Sequence, residues 1–265
     1  MAFLRNLSRT RFNNNNNTLK NMRKTLLIAA AALAASVISS QAQVYSQNIV
    51  GYVNIPAPKG YANIANPLDD GNTLTNVIVN TGSWDGTLVN IWTGSGYITY
   101  TIDSTMSTGV SDINDVNPVT APTIKPGQAF FFYNNTGTSN TLTCAGTVHT
   151  DAAAAGVQVV GSTTNNLGTS PQLQFYGSVL PIGGGLGSVL QFPTNGPTDG
   201  ALVQIPLINA AGGITGFKIY TVDSTLGGWS DVNDVNPVAE PVIPVGQGFF
   251  FYNNTGSGKQ WVQTL

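Results

Sequence analysis

The stretch "GQAFFFYNNTG" (Gly127 to Gly137) recurs as "GQGFFFYNNTG" (Gly246 to Gly256), and it lies inside a longer repeat. "YTIDSTMSTGVSDINDVNPVTAPTIKPGQAFFFYNNTG" (Tyr100 to Gly137) is matched by "YTVDSTLGGWSDVNDVNPVAEPVIPVGQGFFFYNNTG" (Tyr220 to Gly256). Self-similarity at one fixed spacing marks an internally duplicated chain. The match extends upstream at an offset of 114, pairing "DGTLVNI" (Asp85 to Ile91) with "DGALVQI" (Asp199 to Ile205) and Pro67 with Pro181. Copy two has six more residues between Ile205 and Tyr220 than copy one has between Ile91 and Tyr100, a difference expected in a turn.

Within each copy, short runs such as "LVNIW", "YITYTI", "LVQI", "GFKIYTV" and "FFFYN" alternate with Gly, Pro, Asn and Asp clusters. This is the pattern of strands and turns. Outside the N-terminal segment no stretch keeps helical periodicity for three turns, so an all-β fold of two tandem β-sandwich-like modules is predicted. A continuous apolar run between turn residues calls for a strand buried on both faces, because a strand with one wet face alternates. Phe130, Phe131 and Phe132, with Phe249, Phe250 and Phe251, are therefore expected core residues, and Gly127 and Gly246 are expected to make the tight turns that lead into them.

The predicted organisation is an N-terminal extension and signal peptide (1–42), a leading strand (43–59), copy one (60–146), a linker (147–173) and copy two (174–265). Arg23 and Lys24, the apolar run from Thr25 to Ile38 and the small residues of "SSQAQ" describe a secretory leader cleaved after Ala42. The apolar run is shorter than the roughly 20 residues that span a bilayer. Met22 stands directly before the leader and competes with Met1 as the start. The expected location is extracellular or at the cell surface, with the periplasm as another address. A helical turn is expected at Ala152 to Ala155 in the linker, and no close counterpart of the leading strand is expected ahead of copy two.

Residues 1–42 hold six of the ten lysines and arginines and none of the twelve acids, so four lysines remain against twelve acids and the rest of the chain carries a net −8. A surface with four scattered lysines cannot neutralise a phosphate backbone or an anionic bilayer, so nucleic-acid binding is not expected, nor a membrane span in the mature chain. The single cysteine, Cys144, leaves no internal disulfide and reads as a small buried hydrophobe, with an intermolecular bridge as the alternative.

Catalysis has little to stand on, because His149 is the only histidine and has no equivalent in copy two. Asp103 and Asp223 occupy equivalent places beside Ser-Thr turns and are the acids a glycan-acting hydrolase would use. "IGGGLGS" (Ile182 to Ser188) lacks the lysine and helix of a phosphate loop and reads as a flexible turn. "SDINDVNP" and "SDVNDVNP" place hard oxygens densely, as calcium prefers, making Asp112, Asn114, Asp115 and Asn117, with Asp231, Asn233, Asp234 and Asn236, candidate ligands. The same residues before proline are also ordinary turn formers. No cofactor is required by this reading.

Trp84, Trp92 and Trp229 face Thr198, Pro206 and Val110 at equivalent positions of the other copy. Unshared tryptophans suit a surface role, and with Tyr97 they are candidate stacking platforms for a polysaccharide. The competing reading is that they fill differences between the two cores.

A leader ending in Ala-Gln, followed by "QNIVGYVN", "GYANIANPL" and a "PGQAFFFYN" strand closing each module, resembles a group of uncharacterised exported bacterial proteins. The resemblance implies export and β-structure, and it carries no catalytic residues. The functional expectation is a non-catalytic structural or interaction protein, self-associating through residues 44–59, with a carbohydrate-binding protein as the alternative and a hydrolase as a distant one.

Overall fold

The structure, a computed structural model, describes residues 50–79, 81–149, 162–167, 173–256 and 258–264. The leader, the first residues of the leading strand and the helical turn expected at Ala152 to Ala155 lie outside them.

The fold is all-β. Copy one contains β1 (Val50–Ala57), β2 (Gly60–Ala65), a single helical turn α1 (Leu74–Val77), β3 (Leu88–Trp92), β4 (Tyr97–Ile102), β5 (Val110–Ser111), β6 (Ala129–Asn134) and β7 (Asn140–Thr147). Copy two contains β8 (Ser162–Leu167), β9 (Leu173–Gly177), β10 (Gly184–Gly185), β11 (Leu202–Ile208), β12 (Ile214–Asp223), β13 (Gly228–Ser230), β14 (Val242–Ile243), β15 (Gly248–Tyr252) and β16 (Lys259–Thr264). Two five-stranded antiparallel sheets repeat one order, β2-β6-β3-β4-β5 and β9-β15-β11-β12-β13. The register repeats as well: Leu88 pairs with Tyr133 and Thr101, and Leu202 with Tyr252 and Thr221. Register also places Ala65 opposite Ala129 and Gly177 opposite Gly248, an offset of 112 for this strand. The offset of 114 that matched Pro67 to Pro181 therefore begins only after it.

A two-stranded ribbon covers each five-stranded sheet. In copy one, β1 pairs with β7 along its whole length, and its alternate residues Val53, Ile55 and Ala57 join Leu142 and Cys144 over Phe130, Phe132, Val89 and Ile64. In copy two, β8 pairs with β16, and Leu167 and Trp261 cover Phe249 and Phe251. The expectation of a plain linker over 147–173, with no strand ahead of copy two, is corrected here: Ser162–Leu167 is that strand. Its sequence, "STTNNL", lacks the apolar alternation by which β1 announces itself.

Each of the six phenylalanines of the repeat is buried, and the two faces of the strand meet different partners. Phe130 and Phe132 enter the core of copy one, and Phe249 and Phe251 that of copy two. Phe131 and Phe250 point the other way, into a separate cluster with Phe175, Ala65 and Ala129 where the two modules meet back to back. Phe175 and Phe250 stack at 4.0 Å and 10°, and Phe131 lies 5.0 Å from Phe175 and 5.9 Å from Phe250.

This junction has an approximate two-fold axis. Ala65 N–H donates to Gly246 O at 2.8 Å, and the equivalent Gly177 N–H donates to the equivalent Gly127 O at 2.8 Å. Both acceptor glycines have positive φ, 75° for Gly127 and 69° for Gly246, as the turns before the aromatic strands require. Reciprocal contact between equivalent residues is the signature of an isologous interface, here within one chain. Residues on such an axis meet their own equivalents. A Cβ on Gly248 would lie 2.4 Å from the Ala129 Cβ, and one on Gly177 would lie 2.1 Å from the Ala65 Cβ. One methyl fits at each place and two do not, which gives a physical reason for "GQAFFF" in one copy and "GQGFFF" in the other.

Gly248→Ala should therefore destabilise the protein by roughly 1–3 kcal/mol through overpacking. Adding Ala129→Gly should restore part of the loss, since Phe175 Cε2 at 3.0 Å still crowds the new methyl. Denaturant unfolding of the single and double variants measures both effects, and an unchanged midpoint for Gly248→Ala would refute the steric reading.

Candidate functional site

The polar side chains that looked most like chemistry are engaged in turns. Asp112 Oδ1 accepts from Asn114 N at 3.1 Å and Val116 N at 3.2 Å, and its Oδ2 accepts from Asn117 Nδ2 at 2.7 Å. Asp115 Oδ1 accepts from Ser111 Oγ at 2.5 Å. In copy two, Asp231 accepts from Val235 N and Asn236 Nδ2, and Asp234 from Ser230 Oγ. Asp115 and Asp234 share a φ of 58°, so the two loops have the same backbone strain as well as the same bonds. Asn233, two residues on, donates its backbone amide to Asp231. The aspartate oxygens among the calcium ligands expected from sequence thus accept from their own loops, and no group of three or more acidic, histidine or cysteine side chains suited to a metal occurs among the described residues.

Asp103 accepts from Thr105 N and Oγ1, and Asp223 from Thr225 N and Oγ1. The threonine hydroxyls, then the backbone amides, hold both carboxyls below the ordinary value of 3.8. The side chains of Asn117 and Asn236, with backbone amides, do the same for Asp112 and Asp231. A carboxyl whose folded pKa is depressed contributes stability that is complete above its unfolded pKa and is lost as pH falls through the folded value.

Glu240 is the partner of "IGGGLGS". Burial alone would raise its carboxyl, but Ser188 Oγ, Ser188 N and Gly187 N donate to it and hold it below the usual range. The segment read as a flexible turn is instead clamped around the chain's own only glutamate, and a Cβ on Gly185 would collide with Glu240 Oε1. Cys144 and His149 do not meet as a nucleophile and base would. The thiol is buried in the core of copy one with Val77 O at 3.6 Å and is pushed up to about 12 by burial, with Asp70 adding to the shift. His149 Nδ1 lies 3.2 Å from Asp69 Oδ2.

The tryptophans separate by burial. Trp84 and Trp229 are 3% and 4% exposed. Trp84 packs edge-on against Phe132 at 5.1 Å, and Trp229 packs between Phe192 and Tyr220. Neither presents a face to a ligand, so their place as stacking platforms is corrected: they fill differences between the two cores. Trp92 and Tyr97 are different. They pair at the turn end of the β3–β4 hairpin with ring centroids 4.9 Å apart, and Tyr97 is 45% exposed.

Trp92 is half-buried at the edge of the junction, its Nε1–H donating to Leu173 O at 2.5 Å and its ring 6.2 Å from Phe250. Beside it runs a groove of about 420 Å³ whose lining includes Trp92, Thr93, Lys125, Gln128, Gln174 and Tyr176. Both modules contribute to it. The Gln128 carbonyl accepts from Lys125 N at 3.1 Å, and the Gln174 carbonyl from the Tyr176 hydroxyl. No hydrogen bond among the described residues uses the Nε2 group of either glutamine. No carboxylate among them lies within ion-pair distance of Lys125.

The two-fold mate of this groove is built differently. There the six extra residues lengthen the β11–β12 hairpin, and its tip lies against copy one, with Tyr61 N–H donating to Gly212 O at 2.7 Å. The approach is so close that a Cβ on Gly212 would sit 2.1 Å from Lys59 O. The short hairpin of copy one, closed by Thr93 N–H to Gly96 O at 2.9 Å, places the Trp92 side chain at the corresponding spot and leaves the groove open.

Sequence reasoning found Trp92 and missed Lys125, Gln128, Gln174 and Tyr176. Lys125 was within reach of it: "IKPGQ" in copy one faces "IPVGQ" in copy two, an unshared cation where Pro244 stands. Gln174 and Tyr176 come from the other module and approach only through the packing of Phe131 against Phe175. Comparison with protein-family models, with curated proteins and with solved structures returns no match. Among the described residues no helix is long and apolar enough to cross a membrane.

Two outcomes follow. Native protein at pH 8 should leave Cys144 unmodified by a thiol-reactive disulfide dye and yield one thiol after denaturation; rapid native labelling would contradict the burial. Stability should hold from neutral pH down to about pH 4, then fall as the depressed aspartates protonate. Asp112→Asn with Asp231→Asn should flatten that acid limb in pH-dependent unfolding, and an unaltered limb would assign the loss to other groups.

Proposed function

We propose that the chain is an exported, non-catalytic interaction protein that holds a saccharide chain in the groove at its module junction. The observation that carries this reading is the groove itself: one half-buried indole beside amide donors and an ammonium, present where copy one has the short hairpin. A sugar offers an apolar ring face for the indole and hydroxyl oxygens for the donors. The reading against catalysis is supported by the engagement of Asp103, Asp112, Asp223, Asp231 and Glu240 in local turns.

Self-association is the second reading. It is favoured by the outer face of the β1–β7 ribbon, where Tyr52 is 76% exposed. Donation of the leading strand to a neighbour is less suited to the geometry than contact through that face, because β1 buries Val53, Ile55 and Ala57 in its own module. Light scattering over a concentration series, with Tyr52→Lys as the variant, separates this reading from a monomer.

For the groove, electrophoretic retardation in gels containing polysaccharides is the direct test. Trp92→Ala and Gln174→Ala, each first shown to unfold cooperatively, should weaken retardation about tenfold or more, the scale of losing one desolvated aromatic contact. Retention of full retardation by both variants would remove the groove from the account.

A further inference from the structure

The polar lining of the groove is uneven in a way that selects among saccharides. One lone pair of each glutamine carbonyl is already accepting, from Lys125 N and from the Tyr176 hydroxyl, whereas both Nε2 groups keep their donors unspent among the described residues. The Thr93 hydroxyl donates to Gly96 O at 3.0 Å, within its own turn. Lys125 adds an exposed ammonium, and among the described residues no aspartate or glutamate lines the groove. Its backbone is fixed by the turn that Gln128 N–H closes on Lys125 O at 2.9 Å. Of the other three lysines beyond residue 42, Lys218 lies over the Tyr220 ring at 4.9 Å, Lys259 donates to Asn195, and Lys59 is exposed but does not line the groove. A donor-rich groove with one cation and, among the described residues, no anion is locally complementary to a single acceptor-rich, negatively charged group, whereas the net −8 of residues 43–265 repels negative charge at longer range.

Resting on the saccharide reading above, we infer that the groove takes a carboxylated sugar, a uronic acid residue of an acidic polysaccharide. The Lys125 ammonium and a glutamine Nε2 receive the carboxylate, and the sugar ring lies on Trp92. Lys125 is the discriminating residue: Trp92 reads the ring of any sugar, and the ammonium reads the charge. Charge-assisted hydrogen bonds are shorter and about twice as strong as neutral ones, so the acid is preferred over its neutral ester.

The test compares polygalacturonate with its fully methyl-esterified form, which keeps the sugar and removes the charge, alongside alginate and a neutral β-glucan. Binding of the whole chain is followed by tryptophan fluorescence and by calorimetry. The acid should bind roughly 3–10-fold tighter than the ester at low salt, and the ratio should fall to about one at 0.5 M salt, where the Debye length is only a few ångströms. Lys125→Gln should abolish the preference, bringing binding of the acid down to that of the ester, with thermal stability unchanged.

Equal binding of acid and ester, or a preference that survives in Lys125→Gln, overturns this inference and leaves the saccharide groove standing if Trp92→Ala still abolishes binding. Binding of none of the four polymers, or binding indifferent to Trp92→Ala, overturns both.

Discussion

The packing of Phe131, Phe175 and Phe250 between the modules is the contact on which the rest of the structure depends. Each buried ring is worth roughly 1.5–3 kcal/mol from area alone, with a smaller gain from ring geometry. Without it, the outer faces of two five-stranded sheets would expose a line of aromatic residues to water. With it, each aromatic strand becomes a central layer, its odd and even positions serving different cores. The polar intruder at the junction is provided for: Asn63, which stands where copy two has Phe175, donates its Nδ2 to Gly248 O at 2.5 Å.

The approximate two-fold makes departures from symmetry informative. On the axis, alanine facing glycine relieves a clash that two alanines would create. Away from the axis, the longer hairpin of copy two brings backbone against Lys59 and Tyr61, whereas the shorter hairpin of copy one sets Trp92 beside an open groove. Shared polar residues serve the scaffold in both copies, as in the matching braces of Asp85 on Ser104 and Asp199 on Ser224. Of the residues lining the groove, Trp92 and Lys125 are unshared, facing Pro206 and Pro244, whereas Gln128 matches Gln247.

Much of the fold was legible because the repeat and the period of its apolar runs are local signals. "FFFYN" demanded two buried faces, although nothing in it said that the second face would be covered by the other copy. β8 escaped because "STTNNL" pairs with β16 without an apolar pattern of its own. Trp84 and Trp229 were misplaced as stacking platforms because burial of an indole depends on tertiary neighbours such as Phe132 and Phe192. Trp92 was found, but Gln174 and Tyr176 reach it only across the junction, a relation that spacing along the chain does not encode.

If the aromatic junction joins the two modules into one cooperative body, scanning calorimetry of the chain shows a single transition whose calorimetric and van't Hoff enthalpies agree, a ratio of about one. Two resolved transitions, or a calorimetric enthalpy near twice the van't Hoff value, would show modules that melt independently and would contradict it.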